Sequence, residues 1–207
     1  VSLRAATEGD SAFLAPSLQA AVRATPGVGR VEFLRWSQVV IDPALPRVTV
    51  LARDNVAKDA ASRLPLVVGP VAGDGALRDA WLSEPAAVLL KLAPGDTLRL
   101  PLVGRLHEFR IAGVWRDYAR QNGAVLIDRD VYRTLTGDDR ANDAGLWLAP
   151  GASAGDVMTA IRQLPDVEQL VFATPADIRA LSLTIFDRTF AVTYALEAAA
   201  VLIGLLG

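Results

Sequence analysis

AAVRATPGVGRVEFL, from Ala20 to Leu34, and TAIRQLPDVEQLVFA, from Thr159 to Ala173, decide the fold between them. Arg23 aligns with Arg162, Pro26 with Pro165, Val28 with Val167 and Phe33 with Phe172, each pair separated by the 139 positions that part 23 from 162. Both stretches read as the end of a helix, a proline stop and then a strand. Proline lacks the amide that a helix interior needs, and it biases the preceding residue toward an extended backbone. A strand precedes each helix as well, Val1 to Arg4 before the first and Gly145 to Leu148 before the second. Ser153 with Asp156 three residues on is a capping-box-like start for the second helix. Two such β-α-β units in one chain predict an α+β fold, a ferredoxin-like split βαβ sandwich with helices on one sheet.

The region between the units has a different texture. Val48 to Ala52 reads as a strand, and Leu66 to Gly75, rich in Gly, Pro and Val, as a crossing. Ala76 to Leu82 predicts a short helix stopped by Glu84-Pro85, and Ala87 to Lys91 a strand. Pro94-Gly95-Asp96 signals a turn, Thr97 to Leu102 alternates as a strand does, and Gly104-Arg105 turns the chain into a long strand, Leu106 to Trp115. Gly123 to Ile127 has the composition of a strand buried on both faces. Asp128 or Asp130 caps a helix ending near Thr136, with Gly137 just past its end. Several short strands with hairpin turns predict a small β-rich subdomain inserted into the sandwich. The expected division is 1–69 for the first half of the sandwich, 70–140 for the insert, 141–185 for the second half and 186–207 for a stalk and the start of a membrane helix.

Composition narrows the chemistry. With 207 residues, 52% hydrophobic and 21% charged, the chain can bury a core. A net charge of −2 without a long basic run argues against a nucleic-acid partner. The absence of cysteine excludes disulfides, cysteine nucleophiles and thiolate metal sites. His107 is the lone histidine, and without a Gly-x-Ser-x-Gly elbow it suggests no hydrolase. Asp138, Asp139 and Asp143, beside Arg140 and Asn142, lack the spacing of a calcium loop and read as a solvated turn. Gly69 to Gly75 carries three glycines but no following Lys-Ser/Thr, so it is not a phosphate loop. Trp115, Tyr118 and Trp147 read as core or hinge packing. No catalytic, cofactor or metal residue is expected.

The chain opens inside a strand rather than on a signal peptide, as a piece of a longer protein would. Its tail is apolar: from Ala191 to Gly207 the only charge is Glu197. As a helix those 17 residues would rise roughly 25 Å, short of a bilayer core of about 30 Å. Because Val201 to Gly207 is apolar or small on every face, the expected reading is the first part of a transmembrane helix rather than a helix on a soluble core.

The stretch Phe186 to Glu197, FDRTFAVTYALE, resembles the approach to the second transmembrane helix of FtsX-like ABC transporter permeases. Ser83-Glu84-Pro85-Ala86, Pro94-Gly95-Asp96, Gly113 to Tyr118 and Asp128 to Tyr132 resemble the periplasmic region of the same family. In its MacB-type members an extracytoplasmic domain, with a porter-like α/β part and an inserted β-rich part known as Sabre, lies between the first and second membrane helices. The resemblance implies a permease of the bacterial inner membrane, this domain on the periplasmic side, working with a separate cytoplasmic ATP-binding subunit and assembling as a dimer of permeases. It implies that the domain transmits ATP-driven motion to a lipoprotein, lipid or peptide cargo or to a periplasmic adaptor. The alternative is a signalling ectodomain that recruits and activates a cell-wall hydrolase. The residues it places at the stalk and membrane approach are Phe186, Asp187, Arg188, Phe190, Tyr194 and Glu197.

Overall fold

The structure, a computed structural model, describes residues 2–5, 13–167, 170–173, 194, 197 and 201. Among them the first βαβ unit is β1 (Ser2–Ala5), α1 (Pro16–Ala24) and β2 (Val28–Val39), and the second is β9 (Asp143–Leu148), α5 (Ala154–Arg162) and β10 (Leu170–Ala173). Between them run β3 (Val48–Arg53), α2 (Val56–Arg63), β4 (Leu66–Val68), β5 (Arg78–Ser83), α3 (Glu84–Leu90), β6 (Thr97–Leu102), β7 (Arg105–Trp115), β8 (Ala124–Asp128) and α4 (Arg129–Thr136).

The strands form one mixed sheet in the order β10-β1-β9-β2-β3-β8-β5-β7-β4, with β6 also on β7. The first four, all antiparallel, are the two βαβ units interleaved as the repeat predicts. The remaining strands include two parallel pairs, β3 with β8 and β5 with β7.

Helices α1 and α5 cover one face of the first half-sheet. Leu18 and Val22 from α1 meet Val157 and Ile161 from α5 over Leu3, Phe33 and Leu146. Ser153 caps α5, its Oγ accepting from the Asp156 amide. On the second half-sheet Val50, Leu82, Phe109, Val125 and Ile127 form a separate core with Leu100 of β6 and Tyr132 of α4. Helix α2 lies on the opposite face, where Val56, Ala60 and Leu64 pack against Leu51, Trp81 and Leu126.

Three expectations for the middle region are corrected. Residues 78–83 are a strand and 84–90 a helix, the reverse of the sequence reading. Glu84-Pro85 starts a helix instead of stopping one, because proline fits the first turn, where no amide is required. Ser83 caps that turn, its Oγ accepting from the Ala86 amide at 3.4 Å. The crossing at 66–75 begins with the short edge strand β4, and α2 was not anticipated. The turn at Gly95, the β6–β7 hairpin, β8 and the Asp128 cap and Gly137 stop of α4 lie where the sequence put them.

Candidate functional site

The two half-sheets are joined through a single strand. β2 pairs with β9 from Val28 to Leu34 and with β3 from Leu34 to Val39, so Leu34 faces both Asp143 and Arg53. Where each neighbour ends, a side chain replaces it. Asp54, next after β3, accepts from the Phe33 amide at 2.8 Å. Asn142, just before β9, accepts from the Trp36 amide at 2.8 Å. A strand amide left bare at these points would cost about as much as a lost buried hydrogen bond.

Around this crossing lies a buried polar network. Arg129, at the start of α4, donates to Gln19 Oε1 at 2.8 Å, to the Asp139 carbonyl at 2.9 Å and to Asp54 Oδ1 at 3.3 Å. Gln19 of α1 donates to the carbonyls of Leu14 and Asp139. Arg35 of β2 donates to Asp138 at 2.9 Å and to Asn142 at 2.8 Å. Gln19, Arg35, Arg129 and Asn142 are all buried. The Phe13 ring lies under both Arg35 and Arg140, with guanidinium carbons 4.9 and 4.2 Å from its centroid. Each residue satisfies a partner on another element, so the network fixes how α1, β2 and α4 meet.

Of the acidic cluster, Asp138 is drawn into this network, while Asp139 and Arg140 are exposed, as a solvated turn would be, and Asp143 opens β9. Burial alone would raise the Asp138 pKa. The hydrogen bonds from Arg140 and Arg35 outweigh it and hold the carboxyl well below the usual range. Burial likewise pushes the neighbouring Tyr132 phenol up. Among the described residues no group of three or more His, Asp or Glu is placed to hold a metal. His107 sits on β7 opposite Leu100, with Nε2 buried and unpartnered. Trp115 is buried as expected, whereas Tyr118 is exposed and Trp147 borders an open cleft. Of the stalk residues, Tyr194 and Glu197 are helical and exposed, and Phe186, Asp187, Arg188 and Phe190 lie outside the described residues. No described helix is long and apolar enough to cross a membrane. The network is not legible in the sequence, because the contacts that tie α1, β2 and α4 together span 75 to 120 positions.

No family model matches the chain. Over 100 residues it is 32% identical to an uncharacterized ABC transporter permease protein of Mycobacterium tuberculosis, a match that spans 48% of this chain and only 12% of that protein. The periplasmic region of MacB from Actinobacillus actinomycetemcomitans superposes with a TM-score of 0.61 at 14% identity, over 87% of this chain and 90% of that one. The fold is that of the MacB periplasmic region. A second solved structure, the extracellular domain of the noncanonic ABC-type transporter YknZ from Gram-positive bacteria, matches with a TM-score of 0.54 at 14% identity, over 84% of this chain and 99% of that one. The chain thus resembles part of an ABC transporter permease in sequence and the MacB periplasmic region in fold.

Proposed function

We propose that this chain is the extracytoplasmic domain of an ABC transporter permease, held between the first and second membrane helices and moved by them when a cytoplasmic subunit hydrolyses ATP. One observation carries the reading. Ser2 and Ala173 are register partners on adjacent antiparallel strands, so the chain enters and leaves the sheet at one point. That arrangement suits a domain hung between two neighbouring spans. The single-strand junction supports the rest, since motion delivered to the first half-sheet reaches the second through β2 and the Arg129 network.

In this reading the domain is non-catalytic and binds no cofactor. It acts on a lipoprotein, lipid or peptide, or on a periplasmic adaptor, at the inner membrane of a bacterium within a dimer of permeases. The proposed division gives residues 1–69 and 141–185 to the porter-like part, with β3, α2 and β4 of that stretch packed on the second half-sheet, 70–140 to the Sabre-like insert, and 186–207 to the stalk with Phe186, Asp187, Arg188, Phe190, Tyr194 and Glu197.

The absence of cysteine allows a direct test. Leu106, at the exposed start of β7, is replaced by Cys in a full-length permease otherwise free of cysteine. A membrane-impermeant maleimide should label it in intact spheroplasts. Labelling only after lysis would place the domain in the cytoplasm and end the proposal.

A further inference from the structure

Where the two half-sheets meet, the face opposite α1 and α5 holds a cleft of about 380 Å³. Two small residues make room for it. Ser2 and Gly145 stand side by side in the sheet next to Glu32, where larger side chains would fill the hollow. A Cβ on Gly145 would meet the Trp147 ring at 3.4 Å. Leu34 and Leu51 supply apolar lining, and Trp147 is 45% exposed beside them.

The charge around this cleft is unbalanced. Glu32 is buried and accepts from Arg30 on one oxygen and from Arg63 on the other. Arg53 also approaches it, but its Nε stays 3.8 Å from Oε2, beyond hydrogen-bonding distance. Three guanidiniums therefore share one carboxylate. Asp143 on the rim and the Arg120–Asp117 pair still leave the neighbourhood net positive. Burial, then Arg63 and Arg30, lower the Arg53 pKa, so its surroundings oppose its charge. An arriving anion would relieve that opposition. Arg53 lines the cleft with its side chain 40% exposed.

We propose that the cleft binds small anionic amphiphiles, with a carboxylate or phosphate head on Arg53 and the apolar body along Leu34 and Leu51 toward Trp147. An inorganic anion would leave the apolar lining unused, and a neutral amphiphile would leave the cationic excess unmet. The volume lies at the lower end of the range for small-molecule pockets.

Octyl phosphate, octanol and inorganic phosphate are the probes, titrated calorimetrically into this 207-residue chain. Octyl phosphate should bind with a dissociation constant on the order of 1 mM, and the other two at least about tenfold more weakly. Arg53→Leu should weaken octyl phosphate by about tenfold or more, while Arg53→Lys retains most of the binding. Glu32 keeps Arg30 and Arg63 in both variants, so the fold should survive, and circular dichroism checks that it does. Gly145→Leu fills the hollow without touching a charge and should abolish binding. If that variant does not fold, the Arg53 pair decides alone. Equal binding of octanol and octyl phosphate, or octyl phosphate binding that is unchanged in Arg53→Leu, would overturn the proposal. Uptake of probe by other apolar parts of the chain would give that second result.

Discussion

Arg23 lies over Phe33 at 4.7 Å, and Arg162 lies over Phe172 at 4.8 Å, so the two βαβ units repeat one another down to single contacts. Leu18 and Val22 of the first correspond to Val157 and Ile161 of the second, and all four fill one core. After the shared proline both chains turn through a left-handed residue, Gly27 at φ +84° and Asp166 at φ +63°. The units part where the first meets the rest of the molecule. Gln19 is buried in the polar network, while its counterpart in α5 is Met158. β2 runs for 12 residues and is flanked by β9 and β3, whereas β10 has 4 and pairs with β1. The repeated skeleton suffices to close a sandwich, and attaching a second half-sheet takes a longer strand and a polar side chain in one unit only.

Arg129→Met tests that asymmetry most severely. It removes a cation whose side chain is 3% exposed and should cost about 3–5 kcal/mol in urea unfolding, since Asp54 loses a buried partner. A loss below about 1 kcal/mol would mean that the network does not hold the junction. Hydrogen exchange on the same variant also probes the proposed division, because residues 70–140 should then lose protection independently of the sandwich.

Gly27→Ala comes next. Its Cβ would lie 2.7 Å from Val157 Cγ2 at a backbone angle that side chains resist, for a cost of about 2–3 kcal/mol. Asp138→Asn should cost about 1–2 kcal/mol at neutral pH. The depressed folded pKa means the stabilisation is complete above the unfolded value of about 3.9 and is lost as pH falls through the folded value. The two proteins should therefore converge in stability in strong acid, and a constant difference across the range would show that charge is not the cause. The smallest effect is a gain. Asp166→Gly relaxes the second turn and should add about 0.5 kcal/mol to the thermal stability.

The repeat was legible because its signals are local: a proline, a cap and a period of apolar residues. Gly137 and the turn at Gly95 were legible for the same reason. The stretch around Ser83 was not. Its Oγ accepts from Ala86 nearby and from Ala124 at 2.8 Å, and that second contact, 41 positions away, ties the end of β5 to β8. Without it, Glu84-Pro85 reads equally well as a stop or a start. Asp138 and Asn142 looked like loop polar residues because Arg35 lies 103 and 107 positions before them. The cleft was hidden for a related reason, since Ser2 and Gly145 become neighbours only when β1 pairs with β9.

Joining by one strand also sets a mechanical ratio. On the proposed reading the membrane helices load the first half-sheet, beside β1 and β10, and the second half extends sideways from β2 as an arm. Four strand spacings, β3, β8, β5 and β7, separate β2 from the β6–β7 hairpin, a reach of about 19 Å at about 4.8 Å per spacing. A tilt of roughly 10° at β2 would carry the far strand about 3 Å, on the basis of that spacing. Such a displacement would grow strand by strand, so Val103 and Leu106, exposed at that hairpin, would travel farther than the junction.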